Sequence, residues 1–265
     1  MKRNKFIIKI THIAKQICKF FLDLLYPPRC VICDELYCKN NFGDNIYICS
    51  SCKEKVRFTA SAPHLCKKCS RPIDEERILC NACQISQHYY DVSFSCALYE
   101  NEMRTSLLSY KFGTGRYKYR IFSQILYNHR MHTTPFPCAD VICSVPSGKK
   151  RKKKRGFDHV LPFAKYISRK TKLPYDSKAL YKIKETKPQS KLSFKERQLS
   201  VKGAYKVIKP EFVKGKSVLL IDDIYTTGAT VSEISRILKR AGARYVAVLT
   251  LCITPEINIG DDLKT

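Results

Sequence analysis

Acidic residues are scarce in this chain of 265 residues, which contains 23 Asp or Glu against 49 Lys or Arg. The formal net charge of +26 is typical of proteins that meet phosphate-rich partners, although charge of this kind also serves solubility alone. The excess is concentrated in residues 149–216, where 23 basic residues accompany 5 acidic ones. The sequence therefore predicts that a polyanionic partner, if one exists, contacts the middle of the chain.

The chain also lacks an uncharged apolar run long enough to cross a bilayer. Its most apolar early stretch, residues 6–25, contains Lys9, Lys15, Lys19 and Asp23, whereas a spanning helix needs about 20 nearly uncharged residues. Apolar residues recur there at helical spacing, so we interpret residues 1–28 as an amphipathic helix. Packing on the body of the protein is the favoured role for it and contact with a membrane surface the lesser alternative. With no export signal recognisable, we expect a cytoplasmic protein without a transmembrane segment.

Cysteine is abundant, with fourteen residues, and eight of them form four CxxC pairs separated by 15, 13 and 10 residues. Two successive CxxC pairs place four thiolates around one point, which is the closed tetrahedral shell of structural zinc. We therefore predict a double zinc ribbon over residues 29–90 with one or two structural zinc ions. The alternatives are a disulfide framework, which a reducing compartment disfavours, and one metal site with the other thiols free. The predicted ligands are Cys30, Cys33, Cys49, Cys52, Cys66, Cys69, Cys80 and Cys83.

Residues 91–265 change to alternating strands and helices. Strands are predicted over residues 94–99, 140–145, 217–221 and 245–252, and helices over 105–112, 117–132, 157–169 and 230–241. The late strands are continuously apolar and flank a helix, which is the pattern of a parallel βαβ unit. The fold class predicted for this domain is therefore α/β with a parallel sheet.

The segment VLLIDDIYTTGAT, residues 218–230, carries the most chemistry. A buried strand ends in Asp222 and Asp223, and a Thr/Gly loop and a helix follow, so these groups lie at the carboxyl edge of the sheet, where ligands bind. Loop N–H groups at a helix N-terminus suit a phosphate, and the carboxylates suit sugar hydroxyls or Mg²⁺. A plain helix cap is the alternative, but one such residue suffices for a cap. A Walker loop is lacking, because its leading glycine would fall at Pro210.

These motifs resemble a known family. The segment is similar to the phosphoribosyl pyrophosphate (PRPP) motif of type I phosphoribosyltransferases, and residues 22–252 resemble the ComF family of bacterial competence-related proteins. The resemblance includes LLYPPRCVIC, the CxxC pairs, LLSYKFGTGR, VPSGKKRKKKRGF and TKPQSKLSFKER. This chain departs from the family at Asp158 and His159, where Asn-Gln is usual, and at Ser200, where Asn is usual.

The resemblance implies a PRPP site with Mg²⁺. It implies that Asp222 and Asp223 contact the ribose hydroxyls and that Ser147 and Gly148 receive pyrophosphate. It implies that residues 185–197, within the polar stretch 182–200, form a mobile hood over PRPP. The residues implied to surround the 5′-phosphate are Thr226, Thr227, Gly228, Ala229 and Thr230, and the cations we predict to stabilise the departing pyrophosphate are Lys111, Arg155, Lys187 and Arg197.

The run of seven consecutive basic residues, 149–155, is either a solvated, self-repelling loop or an extension of the anion site toward a nucleic-acid backbone. Two functions follow. The first is a Mg²⁺-dependent phosphoribosyltransferase that acts on an unknown acceptor. The second is a non-catalytic, PRPP-sensing factor that binds single-stranded DNA during DNA uptake, and a zinc-ribbon adaptor with a vestigial domain is a third possibility. The residues predicted to meet nucleic acid are Lys149, Lys150, Arg151, Lys152, Lys153, Lys154 and Arg155.

Overall fold

The computed structural model describes residues 21, 24, 27, 29–36, 48–73, 77–113, 115–132, 139–186 and 194–256. The predicted N-terminal amphipathic helix over residues 1–28 lies almost entirely outside these ranges. The chain divides into two compact units, residues 1–54 and 55–265. Among the described helices, none is both long and apolar enough to cross a membrane.

Each cysteine-rich segment is built from short bridges and short helices. In the first unit, an antiparallel bridge joins Arg29 to Leu36 around the first CxxC turn, and helix α1 (Ser50–Lys55) follows the next. In the second unit, an equivalent bridge joins Leu65 to Pro72, and helix α2 (Asn81–Ile85) follows. These short bridges and helices bury only a small apolar area between them. Metal bound by the cysteines would therefore supply part of the folding energy.

The larger unit is organised around a four-stranded parallel sheet with the order β1-β6-β5-β2. The strands are β1 (Val92–Leu98), β2 (Val141–Ser144), β5 (Ser217–Tyr225) and β6 (Tyr245–Ile253). A separate two-stranded antiparallel sheet pairs β3 (Leu180–Lys182) with β4 (Tyr205–Val207). The predicted α/β class with a parallel sheet is confirmed. The two central strands, β5 and β6, are almost wholly buried, which explains their continuous apolar sequence.

Helices fill the connections between these strands. They are α3 (Asn101–Phe112), α4 (Tyr119–His132), α5 (Lys149–Arg155), α6 (Leu161–Thr171), α7 (Phe194–Val201), α8 (Pro210–Val213) and α9 (Ala229–Arg240). Helix α9 connects β5 to β6 and buries Val231, Ile234 and Leu238 on one face. Asp158 lies just before helix α6, and its Oδ1 accepts the N–H of Val160 at 3.2 Å.

Candidate functional site

Two loops meet at the carboxyl edge of the sheet. Because β2 pairs with β5 in parallel, with Ser144 opposite Ile221, the loop after β2 lies beside Asp222 and Asp223 in the last part of β5. The N–H of Val145 donates to the carbonyl of Ile221 at 2.9 Å and holds this loop in place. The predicted pyrophosphate loop and the predicted PRPP motif therefore lie side by side, as the parallel topology requires.

A cavity of about 690 Å³ opens at this edge. It contains most of the predicted site residues: Lys111, Ser147, Gly148, Arg155, Arg197, Asp222, Asp223, Thr226, Gly228, Ala229 and Thr230. It is also lined by residues that the sequence analysis did not assign to the PRPP site: Tyr99, Arg151, Lys154, His159, Lys182 and Tyr205. One predicted residue, Lys187, lies outside the described residues. The volume is that of a typical small-molecule site.

The two adjacent carboxylates lie in different surroundings. The Lys111 ammonium lies 2.6 Å from Oδ2 of Asp223, and His159 Nε2 lies 2.5 Å from the same oxygen. Burial by itself raises the pKa of Asp223, but Lys111 and His159 outweigh burial and hold that pKa well below its ordinary value. Burial, and then the charge of Asp223, raise the pKa of Asp222 well above its ordinary value. The pKa values of the two adjacent carboxyl groups are therefore shifted in opposite directions.

His159 connects the two halves of the site, and the sequence analysis did not give it this role. Arg155 Nη1 donates to His159 Nδ1 at 2.8 Å, and Ser147 Oγ lies 3.2 Å from the same nitrogen. Because a guanidinium only donates, Nδ1 accepts, and the ring proton of the neutral imidazole lies on Nε2, facing Asp223. The signal in the sequence was the departure from the family pattern at Asp158 and His159.

The TTGAT loop, residues 226–230, turns sharply between β5 and α9. Gly228 has a φ of +74°, and a Cβ there would lie 2.3 Å from the Tyr225 hydroxyl oxygen, so only glycine fits without strain. Thr227 does not line the cavity. Its side chain is buried, and its Oγ1 accepts the N–H of Ala229 at 3.4 Å. Thr227 therefore shapes the loop, whereas Thr226 and Thr230 face the cavity.

The β3 strand and the residues after it cover one side of the cavity. Lys182 Nζ donates to Thr186 Oγ1 at 2.8 Å and lies 5.3 Å from the centroid of the Tyr205 ring. Burial, and then the charge of Arg151, lower the pKa of Lys182 to about 8. The Glu185 carboxylate accepts the N–H of Lys150 at 3.1 Å. This contact places a carboxylate against the first turn of helix α5, which follows the predicted pyrophosphate loop.

The seven basic residues form helix α5, not the loop that was one reading of them. The helix begins after Gly148 and ends at Gly156, which has a φ of +77°. Five residues of this helix are exposed: Lys149, Lys150, Lys152, Lys153 and Lys154. Lys154 also lines the cavity, together with Arg151 and Arg155. We call this element the basic helix.

The eight predicted cysteines form two groups of four. In each group the Sγ atoms all lie within 4.8 Å of one another. Tetrahedral zinc with bonds of about 2.3 Å places thiolates about 3.8 Å apart, and the Sγ–Sγ distances of 3.9 Å for Cys33–Cys49 and 3.6 Å for Cys69–Cys80 match this value. Both clusters therefore fit structural zinc. The first cysteine cluster is Cys30, Cys33, Cys49 and Cys52, and the second is Cys66, Cys69, Cys80 and Cys83.

The second cysteine cluster is fully buried and belongs to the same hydrophobic core as the parallel sheet. Ile73 and Tyr90 pack in that core with Tyr225 and Ile253. The Tyr90 and Tyr225 hydroxyl oxygens are 2.7 Å apart. This cysteine cluster is therefore continuous in packing with the end of β5.

Comparison with known proteins identifies both parts of the chain. A double zinc ribbon domain matches residues 21–84, and a phosphoribosyl transferase domain matches residues 160–261. The chain is 29% identical to DNA utilization protein YhgH of Escherichia coli strain K12, over 87% of this chain and 99% of that protein. It is 26% identical to Competence protein F of Haemophilus influenzae, over 76% of this chain and 88% of that protein. It is 25% identical to Competence protein ComFC of Bacillus subtilis, over 84% and 93% respectively.

Proposed function

Since the chain belongs to the ComF family, which joins a double zinc ribbon to a phosphoribosyltransferase domain, we propose that it binds PRPP and Mg²⁺ in the cavity beside β5. We propose further that it transfers ribose 5-phosphate to an acceptor. One observation carries this proposal: Asp222, Asp223 and the TTGAT loop open into the same cavity as Lys111, Arg155 and Arg197.

In this proposal each wall of the cavity binds a different part of PRPP. The TTGAT loop at the start of α9 offers N–H groups and threonine hydroxyls to the 5′-phosphate. Asp222 and Asp223 accept hydrogen bonds from the ribose hydroxyls. Asp222 and Asp223 would also hold Mg²⁺, a hard cation that prefers oxygen ligands, and Mg²⁺ would neutralise the negative charge of pyrophosphate.

The cations of the cavity account for the chemistry. When pyrophosphate departs from C1 of the ribose, negative charge develops on the leaving group, and a fixed positive charge stabilises it. Arg155, Arg197 and Lys111 supply that charge, with Ser147 and Gly148 as the loop that receives pyrophosphate. The Glu185 carboxylate that meets the N–H of Lys150 supports this assignment, because it already places oxygen atoms against this loop.

Calorimetric titration with PRPP and Mg²⁺ tests the binding site, with two glycine variants as a matched pair. Gly228→Ala places a methyl group against Tyr225, whereas Gly203→Ala has a similar φ of +68° and nothing within 4 Å of the new Cβ. We expect Gly228→Ala to weaken PRPP binding by about tenfold or more and Gly203→Ala to leave it within about twofold. Native protein that does not bind PRPP would overturn the proposal.

Turnover is a separate question and has a separate assay. We expect pyrophosphate release from PRPP to rise above background with one member of a panel of bases, amines and nucleic acids, and to fail in the Asp222→Asn, Asp223→Asn double variant. If pyrophosphate release stays at background across the whole panel while PRPP still binds, the protein is a PRPP sensor and not a transferase.

That sensor is the second candidate function, and the basic helix favours it. Seven consecutive positive charges lie beside the cavity, and five of these residues are exposed to solvent. Such a surface suits the phosphates of single-stranded DNA. The names of the relatives point to DNA utilization and competence, so this candidate is a PRPP-sensing, DNA-binding factor in DNA uptake.

We also propose a cytoplasmic location for the protein. Eight thiolates arranged as metal ligands persist in a reducing compartment, whereas an oxidising compartment converts neighbouring thiols to disulfides.

A further inference from the structure

Arg71 lies between the second cysteine cluster and the TTGAT loop. It follows the Cys66–Cys69 turn by two residues, its carbonyl accepts the N–H of Cys66 at 2.9 Å, and its side chain is completely buried. Its Nη2 donates to the carbonyl of Thr226, the first residue of the TTGAT loop, at 2.7 Å. One side chain therefore joins the metal-binding turn to the start of the loop.

The charge of Arg71 requires compensation. A buried guanidinium is costly unless it is paired. Within the described part of the chain, Arg71 forms no ion pair with a carboxylate, and its Nε and Nη1 have no hydrogen-bond partner. The guanidinium lies within electrostatic range of the Cys80 thiol. Four thiolates around one Zn²⁺ carry a net charge of about −2, so the metal-loaded second cluster supplies the missing negative charge.

The contact with Thr226 fixes one end of the TTGAT loop. The same carbonyl also accepts from Thr254 Oγ1 at 3.4 Å, and the N–H of Thr254 donates to the carbonyl of Tyr225 at 3.0 Å. The loop's first peptide is therefore held by Arg71 on one side and by the residue after β6 on the other.

A second contact supports the middle of the loop. Tyr90, which lies in the core with the second cluster, meets Tyr225 through their hydroxyl groups. The Tyr225 hydroxyl in turn occupies the space against Gly228 that a Cβ would fill. Displacement of the cysteine-rich turn therefore shifts two supports of the loop together.

We propose that Arg71 is a positioning residue that couples metal occupancy of the second cysteine cluster to the shape of the TTGAT loop. With metal bound, the cluster neutralises Arg71 and holds it against the Thr226 carbonyl, and the loop keeps the conformation that accepts a phosphate. With metal removed, the turn loosens, Arg71 withdraws, and the loop opens. The consequence for ligand binding rests on the proposed function, whereas the coupling itself does not.

Hydrogen exchange on the full-length, metal-replete protein tests the coupling without any ligand. We expect Arg71→Met to retain its zinc and to increase amide exchange by about tenfold in residues 224–230, as loss of a charge-assisted hydrogen bond predicts. Chelation of zinc should produce the same local increase. Arg77→Met is the matched control, because Arg77 lies three residues before Cys80 of the same cluster and its charge is paired with Glu256 at 2.9 Å. It should leave exchange in residues 224–230 unchanged.

Titration with PRPP and Mg²⁺ on the same proteins separates this inference from the proposed function. If the wild type binds PRPP, Arg71→Met should weaken binding by about tenfold and Arg77→Met should not. If the wild type does not bind PRPP, the proposed function fails while hydrogen exchange still decides the coupling. Should Arg71→Met fail to fold, Arg71→Lys, which keeps the charge but shortens the reach, takes its place. Unchanged loop exchange in a folded, zinc-loaded Arg71 variant would overturn the proposal.

Discussion

Asp222 and Asp223 are adjacent in sequence and unlike in chemistry. Asp223 is paired with Lys111, which comes from the last turn of α3, and with His159, which comes from the loop before α6. Burial and the charge of Asp223 raise the pKa of Asp222, whereas Lys111 and His159 hold the pKa of Asp223 below its ordinary value. The two carboxyl groups therefore bind a proton with different strength.

Replacement of Lys111 by Met should destabilise the protein in a pH-dependent way. A carboxyl group whose pKa is lowered on folding contributes stability above its unfolded pKa of about 4, and this contribution is lost as pH falls through the native pKa. Without Lys111, Asp223 is a buried anion with one remaining partner. We expect a loss of about 3 kcal/mol at pH 7, measured by chemical unfolding, that shrinks as pH falls below 4.

Lys209→Met provides the control for this prediction. Lys209 also pairs with an aspartate, Asp176, at 2.5 Å, but that pair is exposed to solvent, which screens it. Acid also strips zinc from thiolates, and because this affects wild type and both variants alike, the quantity to compare is the difference from wild type at each pH. A constant difference for Lys111→Met between pH 7 and pH 3.5 would contradict the assignment of that ion pair.

How far a residue's role could be predicted depended on how local its contacts are. The PRPP motif is continuous, so a strand, two aspartates, a glycine turn and a helix predicted the placement of Asp222, Asp223 and Gly228 in one site. His159 and Lys182 reach the same cavity from separate elements. Their positions depend on long-range packing, which sequence periodicity does not encode.

At the scale of elements, the four strands of the parallel sheet were predicted in the right places, with ends that differ by up to four residues, whereas β3 and β4 were not predicted. The strand predicted over residues 217–221 continues to Tyr225, because Asp222, Ile224 and Tyr225 pair with β6 before the chain turns. The prediction ended where apolar residues end. The polar stretch without a period, residues 182–200, contains part of β3 and most of helix α7, two short elements whose sequences show no regular apolar pattern.

The basic helix shows how an element tolerates seven like charges. Positive charge in its last turn is favoured by the helix dipole, and Arg155 spreads its guanidinium over the ring of Phe112, 4.6 Å from the centroid. At the other end, the Glu185 carboxylate accepts the N–H of Lys150. Lys149, Lys152 and Lys153 are exposed to solvent, where a negatively charged partner can contact them.

Neutralisation of the exposed lysines should therefore change the salt dependence of DNA binding. In the Lys149→Gln, Lys152→Gln, Lys153→Gln variant, we expect the slope of log K against log salt for single-stranded DNA to fall by about 2, because each phosphate contact contributes about 0.7. Fluorescence anisotropy over a salt series measures it. A variant with Lys202, Lys206 and Lys214 changed to Gln removes equal charge from exposed sites elsewhere and should keep the native slope. Equal slopes in both variants would show that the basic helix does not contact DNA.

At the scale of the whole chain, the two cysteine clusters differ in how they are enclosed. In the first cluster, Cys33 is exposed and Cys49 is partly exposed, whereas every cysteine of the second cluster is buried. The second cluster also shares its core with β5 and β6. The spacing of the CxxC pairs predicted both groupings of ligands. The CxxC motif itself is the same in both clusters, so it could not show that the second cluster is enclosed in the core of the larger unit.

We therefore expect two zinc ions per chain that leave in two separate phases. A chelator with a colorimetric indicator should remove the first ion rapidly, because its thiolates are accessible, and the second much more slowly, because its release exposes Ile73 and Tyr90 from the core. Cys33→Ser should abolish the fast phase and leave the unfolding temperature nearly unchanged. Cys69→Ser should lower the unfolding temperature of the sheet itself. Release of both ions in one rapid phase from folded protein would show that the second cluster is not part of the core, and the coupling assigned to Arg71 would lose its physical basis.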